Sequence, residues 1–331
     1  MNVGRNIRLI DIATKLGCTV NTVSRALRDK PDISVEMKQK VKETAKQMGY
    51  IPNSVATSLR RGSTKTVAIL FDNMINAYFM IMADMIHSEL EDKGYATMIF
   101  TSDDGSNFKD NVLFQIISRN IDGIITFLEP DQAVIDICQQ NNIPIVLIGR
   151  QTTNQSINYV STNDFQGGYL VGEYLIKQGA RNIGYIGAPM IVENSVRRLG
   201  GLKACLDEMH IEYNEENMRY MQNNRIQEDL EVLIRNQVDA IFFFNDVMAL
   251  EAITILKAKG YTVPEHIKII GFDDIQNELF IPVRLTTVAS NKLEIVKETV
   301  KILYQLMQQG GYTHNYKHKH FDVWVKEGET T

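Results

Sequence analysis

The chain has 331 residues, 44% of them hydrophobic, which is enough for a sizeable core and too long for one small domain. The net charge of −5 conceals a split: residues 1–65 carry 13 Lys and Arg against 5 Asp and Glu, a net of +8, while the rest carry 22 against 35, a net of −13. A basic head on an acidic body is suited to a polyanion at the head and not at the body. Cys18, Cys138 and Cys205 show no metal or CxxC spacing and read as reduced thiols. No apolar run approaches the 18–20 or so residues of a membrane span, and no apolar leader opens the chain, so a cytoplasmic protein without membrane contact is expected.

The head reads as short helices. The first covers roughly 9–16, with Ile10, Ala13 and Leu16 expected inward, and Gly17 stops it. Thr19 is a good N-cap for a second helix over roughly 20–28. Ser34 caps a third, with Met37, Val41, Ala45 and Met48 inward, and Gly49 closes it. A helix, a tight turn containing glycine and another helix make a helix-turn-helix. In the second helix Asn21, Arg25 and Arg28 follow i, i+4, i+7 and share one face, while Val23 and Leu27 share the other. Arginine pairs bidentately with guanine and asparagine with adenine in the major groove. Thr19, Thr22 and Ser24 can donate to phosphates. Val20 is open between touching a thymine methyl and sealing the helix start. A solvated polar face is the plain alternative, and the caps, the glycine turn and the +8 charge weigh against it.

Residues 53–62, "NSVATSLRRG", make a short, weak helix former. Asn53 can cap it, and Pro52 keeps the backbone before it extended. A helix of about seven residues is marginal alone, so this one is expected to order only against a partner.

In the body, the runs "TVAILF", "YATMIF", "DGIITFL", "PIVLIG", "NIGYIG", "AIFFF" and "IKIIGF" alternate with amphipathic stretches. Uninterrupted apolar strands between helices predict parallel sheets covered on both faces. Residues 121–150 echo residues 238–274, each an Asp before a buried strand, then a helix, a proline and a strand ending in Ile-Gly. Two similar α/β lobes follow, with a ligand cleft beyond the carboxyl ends of their strands. Strand ends nominate Asp72, Asn73, Asn76, Phe79, Thr126, Arg150, Asn245, Asp246, Asp273 and Asp274, and Arg198 opens a helix after "YIGAP". Asp, Asn and Arg groups in such places suit the hydroxyls of a sugar, because burying them unpartnered is costly. Asp246 is read as a helix cap. Phe243, Phe244 and Phe272 are read as core, and Trp324 as structural. The run "HNYKHKH", with His314, His318 and His320, could hold a metal, but surface histidines without that role are the commoner case, and no metal site is assigned. No GxGxxG, Walker, GxSxG or HExxH pattern follows a strand, so neither a cofactor nor an enzyme is expected.

The stretch "IDIATKLGCTVNTVSRAL…GYIPNSVATSLR" resembles, without a gap over residues 8–61, the headpiece of the lactose-repressor (LacI/GalR) family of bacterial transcription regulators. The resemblance implies an α/β chain with an N-terminal all-α helix-turn-helix headpiece over 1–52. A hinge helix and linker over 53–65 follow, then a two-lobed, periplasmic-binding-protein-like body over 66–331 with parallel sheets and three crossovers. One lobe would comprise about 66–161 and 290–318. The other would comprise about 162–289 and 319–331, with "HFDVWVK" as its final strand. Val20, Asn21 and Arg25 occupy positions that read operator bases, although Cys18 and Val20 stand where other residue types are common. The hinge would pair with that of a dimer mate in the minor groove, Leu59 pushing between bases and Ala56 allowing close helix approach. Phe79, Arg198, Asn245 and Asp273 match effector-contacting positions. The expected protein is a homodimer on pseudo-palindromic double-stranded operator DNA, controlled by a small-molecule effector of carbohydrate type. Without a heptad-bearing tail, a coiled-coil tetramer is not expected. A solute-binding protein and a sugar-metabolising α/β enzyme are the alternatives from other classes. The missing leader and the basic head oppose the first, and the missing catalytic motifs oppose the second.

Overall fold

The computed structural model describes residues 7–51, 62–102, 107–108, 110–190, 192–221, 225–311 and 315–331. The expected hinge helix, with Asn53, Ala56 and Leu59, lies outside the described residues, as does His314. The chain divides into two compact units, Met1–Thr64 and Lys65–Thr331.

The first unit contains α1 (Leu9–Leu16), α2 (Val20–Leu27) and α3 (Val35–Met48) around a small core of Ile12, Ala13, Val23, Ala26, Val41 and Ala45. Each turn follows from its residues. Gly17 takes φ 65° and Gly49 φ 70°, the left-handed conformation that ends α1 and α3 at little steric cost. The Thr19 hydroxyl accepts from the Thr22 N–H at 3.1 Å, and Ser34 from Met37 at 3.3 Å. One inward assignment is corrected. Ile10 is 48% exposed, because the buried stripe of α1 runs through Leu9, Ile12, Ala13 and Leu16. That set follows i, i+3, i+4, i+7, and Ile10 stands about 100° off it.

The second unit has two six-stranded sheets. The first, in the order β13-β7-β6-β4-β1-β2, is parallel throughout. It comprises β1 (Thr66–Phe71), β2 (Ala96–Thr101), β4 (Gly123–Thr126), β6 (Ile145–Ile148), β7 (Asn158–Thr162) and β13 (His318–Phe321). The second, in the order β14-β12-β11-β10-β8-β9, comprises β8 (Ile183–Gly187), β9 (Met218–Tyr220), β10 (Ala240–Phe243), β11 (Lys268–Phe272), β12 (Thr286–Ser290) and β14 (Val323–Lys326). Only β14 runs antiparallel, against β12. A two-stranded ribbon pairs β3 (Asn107–Phe108) with β5 (Glu129–Pro130). The internal echo is structural: β4 and β6 hold the same places in the first sheet as β10 and β11 in the second.

Helices cover both faces of each sheet, giving two apolar layers per lobe. On the first sheet α4 (Ala77–Glu91) and α11 (Lys292–Gln308) pack on one side, and α5 (Asp110–Ile117) and α6 (Gln132–Gln140) on the other. On the second, α7 (Asp164–Lys177) and α8 (Glu193–Glu208) oppose α9 (Gln227–Arg235) and α10 (Asp246–Ala258). The expectation of full cover fails at β2, an edge strand that leaves Met98 and Ile99 36% and 42% exposed.

The chain passes between the sheets three times, at residues 163, 291 and 322. Asn163 and Asn291 share one conformation, φ/ψ −82°/81° and −79°/81°, and each caps the helix that follows. The single final strand expected over "HFDVWVK" is corrected: Phe321 ends a strand of the first sheet and Val323 begins one of the second. Period-two patterning cannot show that a chain changes sheets at one intervening residue, here Asp322.

The three cysteines are free thiols. His318 stacks on Tyr159 at 4.5 Å, and His320 meets Tyr159 Oη and Ser161 Oγ. No cluster that could hold a metal ion occurs among the described residues, and none of their helices is long and apolar enough to cross a membrane.

Candidate functional site

Two places concentrate the nominated residues. The first is α2. Val23 and Ala26 are buried against α1 and α3, which turns Val20, Asn21 and Arg28 outward and leaves Arg25 half-buried. Val20 stands at the first helical position, outside the core of the unit. The Thr19 and Thr22 hydroxyls face each other at 2.9 Å. The Arg28 guanidinium folds back, donating from Nε to the Ser24 carbonyl at 2.8 Å and from Nη2 to Ser24 Oγ at 2.7 Å. Arg25 meets Asp32 through Nε at 2.7 Å and Nη2 at 2.6 Å.

The second place is a cavity of about 510 Å³ between the lobes of the second unit. It opens beyond the carboxyl ends of β1, β6, β8, β10 and β11, where a doubly wound sheet leaves room for ligand. Asp72, Asn73, Asn76, Phe79, Arg150, Arg198, Asn245 and Asp273 all line it.

Arg198 is the centre of its charge network. Its Nε donates to Asp164 Oδ1 at 2.7 Å, Nη1 to the Phe244 carbonyl, and Nη2 lies 3.9 Å from Asp273 Oδ1. The guanidinium carbon sits 3.4 Å from the Phe272 ring centre and 4.6 Å from that of Phe244, a cation–π sandwich. Burial works against its charge, and Asp164 and Asp273 more than offset that, so the pKa rises. Burial raises the Asp164 carboxyl, while Arg198 and the Asn194 amide oppose the shift. Asp273 is pushed up to about 7 by burial, against Arg198 and Lys292. Its backbone takes φ 109°, a strained value for a side-chain-bearing residue and one seen where a site dictates geometry. Across the cavity, burial raises Asp72 and lowers Arg150, and each counters the other's shift. The arrangement can hold a neutral, hydroxyl-rich molecule. Charged and amide groups stand at both ends, and between them lies an aromatic wall of Phe79, Phe127 and Tyr78, whose rings contact one another.

Several assignments change. Thr126 does not reach the cavity: it is fully buried, its hydroxyl donating to the Leu128 carbonyl and accepting from the Leu128 N–H. Asp246 is not the cap of α10. Asn245 is, accepting from the Met248 N–H at 2.9 Å. Asp246 instead sits buried, accepting from Thr287 Oγ1 at 2.5 Å and the Ile275 N–H at 2.9 Å. Asp274 turns away to Lys326. Phe244 and Phe272 line the cavity and hold Arg198, whereas Phe243 is core.

Sequence reasoning passed over Asn194. It lies on α8 one turn before Arg198, a spacing that could have nominated it. Its Nδ2 donates to the Gly149 carbonyl of the other lobe at 2.8 Å and to Asp164 at 3.0 Å. Its Oδ1 is buried without a partner in the wall of the cavity. Asp164, two residues beyond the end of β7, was also missed, because "NYVST" is not an uninterrupted apolar run.

Residues 8–53 match the model for bacterial regulatory proteins of the lacI family, and residues 173–331 match a periplasmic binding protein-like domain. An HTH-type transcriptional repressor PurR of Mannheimia succiniciproducens is 25% identical over 306 residues, 89% of this chain and 90% of that one. An HTH-type transcriptional regulator MalR of Clostridium butyricum is 28% identical over 315 residues, 91% and 93% respectively. Among solved structures, the lac repressor dimer bound to operator and the anti-inducer ONPF matches with a TM-score of 0.81 at 19% identity, covering 98% of this chain and 99% of that one. A CelR–cellobiose complex matches with a TM-score of 0.71 at 22% identity, covering 98% and 100%.

Proposed function

Because the chain belongs to the lacI family of bacterial regulatory proteins, we propose that it is a repressor-type transcription regulator whose affinity for operator DNA is set by a sugar or sugar derivative held between its lobes. It acts by binding rather than by catalysis, and in the cytoplasm, where its DNA is. The observation that carries the reading is the presence, on one chain, of a basic helix-turn-helix unit and a cavity lined by a buried Arg198–Asp164–Asp273 network.

In this reading α2 enters the major groove of a half-site. Val20, Asn21 and Arg25 face bases, while Thr19, Thr22, Ser24 and Arg28 lie along phosphates. The exposure of Val20 supports a base contact over a sealing role. Asn53, Ala56 and Leu59, which lie outside the described residues, are assigned to the minor groove between the half-sites. Phe79, Arg150, Arg198, Asn245, Asp273 and Asp72 hold the effector, and Thr126 supports the loop beneath it. A homodimer is favoured because two helix-turn-helix units read two half-sites, and because the open edge of β2 with Met98 and Ile99 needs cover.

A gel-shift against genomic fragments, with and without neutral mono- and disaccharides, tests this. Retarded fragments whose retention falls with salt and changes with one saccharide are expected. Absent or salt-insensitive retention refutes the DNA-binding role, and retention unmoved by any saccharide refutes the effector class.

A further inference from the structure

The turn after α2 is built to bring one carboxylate back onto the helix. The N–H groups of Arg28 and Lys30 donate to the Arg25 carbonyl at 3.2 and 3.1 Å. Asp29 takes φ 55°, which reverses the chain, and its carboxylate is pinned to α3 by Lys42 at 2.7 Å. Pro31 and Asp32 follow, and Ile33 donates back to the Lys30 carbonyl at 3.2 Å and packs against the core. Asp32 thereby returns over Arg25, seven residues earlier.

The contact is two-pronged: Nε to Oδ2 at 2.7 Å and Nη2 to Oδ1 at 2.6 Å. A guanidinium has two edges that can grip a planar acceptor pair, Nε–Nη2 and Nη1–Nη2. Asp32 fills the first, leaving the Nη1–Nη2 edge at the tip of the side chain open among the described residues. That edge matches the O6 and N7 acceptors of guanine. Both residues are partly solvent-exposed, so the pair adds little to stability. An acidic side chain on the DNA-facing side of a basic unit also lowers its attraction for phosphate. What the pair does supply is a fixed orientation for a long, rotamer-rich arginine.

We infer that Asp32 is a positioning residue for base reading: it clamps the inner edge of Arg25 so that the outer edge is presented to one guanine in each half-site. The inference rests on the reading of α2 as the recognition helix. Asp32 touches no base itself. It removes the alternative directions in which Arg25 would otherwise reach a phosphate, and so converts a general cationic contact into a specific one.

The test is in vitro selection from a randomised duplex library with the full chain, at fixed salt, comparing the parent with Asp32→Ala, Asp32→Asn and Arg25→Ala. The parent should enrich a guanine at one position per half-site. Arg25→Ala should erase that preference, and Asp32→Ala should cut it about tenfold at that position alone. Asp32→Asn, which keeps one acceptor, should fall between. Adding Asp32→Ala to Arg25→Ala should change nothing further there. Affinity for random DNA should rise modestly in both Asp32 variants, because a negative charge is gone. If Asp32→Ala tightens binding to every sequence alike and keeps the guanine preference, Asp32 is only a charge and the inference is wrong. A parent that enriches no sequence at all refutes the recognition-helix reading, and this inference with it.

Discussion

Asp273 lies 3.9 Å from Arg198 in the wall of the cavity, and burial pushes its carboxyl up to about 7. An ordinary aspartate titrates near 3.9 in the unfolded chain. The folded form therefore holds its proton more tightly between about pH 4 and pH 7, and stability falls as pH rises through that window. Above pH 7 the full penalty is present, and near pH 4 it is gone. Asp273→Asn, which cannot ionise, should match the parent's melting temperature near pH 4.5 and exceed it at pH 8, by an amount corresponding to about 1–4 kcal/mol. Trp324 is the chain's one tryptophan and lies in β14, so its fluorescence follows the melting of the body. A difference between the two proteins that does not change with pH would show that Asp273 is ionised throughout.

Asn194 spends its amide hydrogens on Gly149 in one lobe and Asp164 in the other, and its Oδ1 is buried without a partner. An unsatisfied buried acceptor costs about 1–3 kcal/mol, which a ligand hydroxyl would recover. Asn194→Ala should weaken binding of whichever saccharide the gel-shift identifies by about tenfold or more, read by calorimetry. A version of that saccharide lacking the matching hydroxyl should bind parent and variant equally. Unchanged affinity in the variant would exclude Asn194 from the site.

The close packing of α7 on α8 sets where Arg198 stands. A Cβ at Gly168 would overlap the Arg198 carbonyl oxygen, and one at Gly201 the Phe165 carbonyl. Neither helix can move without separating Arg198 from Asp164, which lie on opposite members of the pair. Gly168→Ala should destabilise the body by about 2–3 kcal/mol in urea, as overpacking does, and weaken saccharide binding with it. Parent-like stability would mean that the helices part without cost.

How far the sequence could be read follows from what kind of signal each feature leaves. Strand ends carry cleft residues by geometry, so Asp72, Arg150, Asn245 and Asp273 could be named from "FDN", "GRQ", "FND" and "GFDD", and they do line the cavity. Thr126 obeyed the same rule, but its hydroxyl is short enough to close a turn with Leu128 instead. Phe244 and Phe272 were read as core because hydrophobicity alone cannot tell a buried ring from one that walls a cavity and sandwiches a guanidinium. Asp164 follows β7, whose "NYVST" lacks the apolar run that marks the other strands, Asn194 acts from a helix start, and their partnership spans 30 residues, a distance at which no local pattern speaks. Ile10 went wrong for a simpler reason: in an eight-residue helix, two candidate stripes differ by a single position.

Among the described residues the outer edge of β2 has no strand beside it, and it presents Met98 and Ile99 to solvent, where the other described strands expose no large aliphatic side chain. Open apolar edges invite pairing with any chain, so proteins normally blunt them with charge, proline or a bulge. Here Thr97, Met98, Ile99 and Phe100 carry none of these, which points to cover by a second copy. Placing a charge at Ile99 should separate the copies while leaving each fold intact, because that side chain is 42% exposed. Ile99→Lys should therefore sediment as a monomer at micromolar concentration where the parent sediments as a dimer. It should also lose most of its sequence-specific DNA affinity, while non-specific binding, which needs only the basic head, persists. The two losses should travel together, because two half-sites are read by two copies of the helix-turn-helix held as one dimer. A variant that is monomeric yet grips its selected site as tightly as the parent would separate them and refute the need for a dimer.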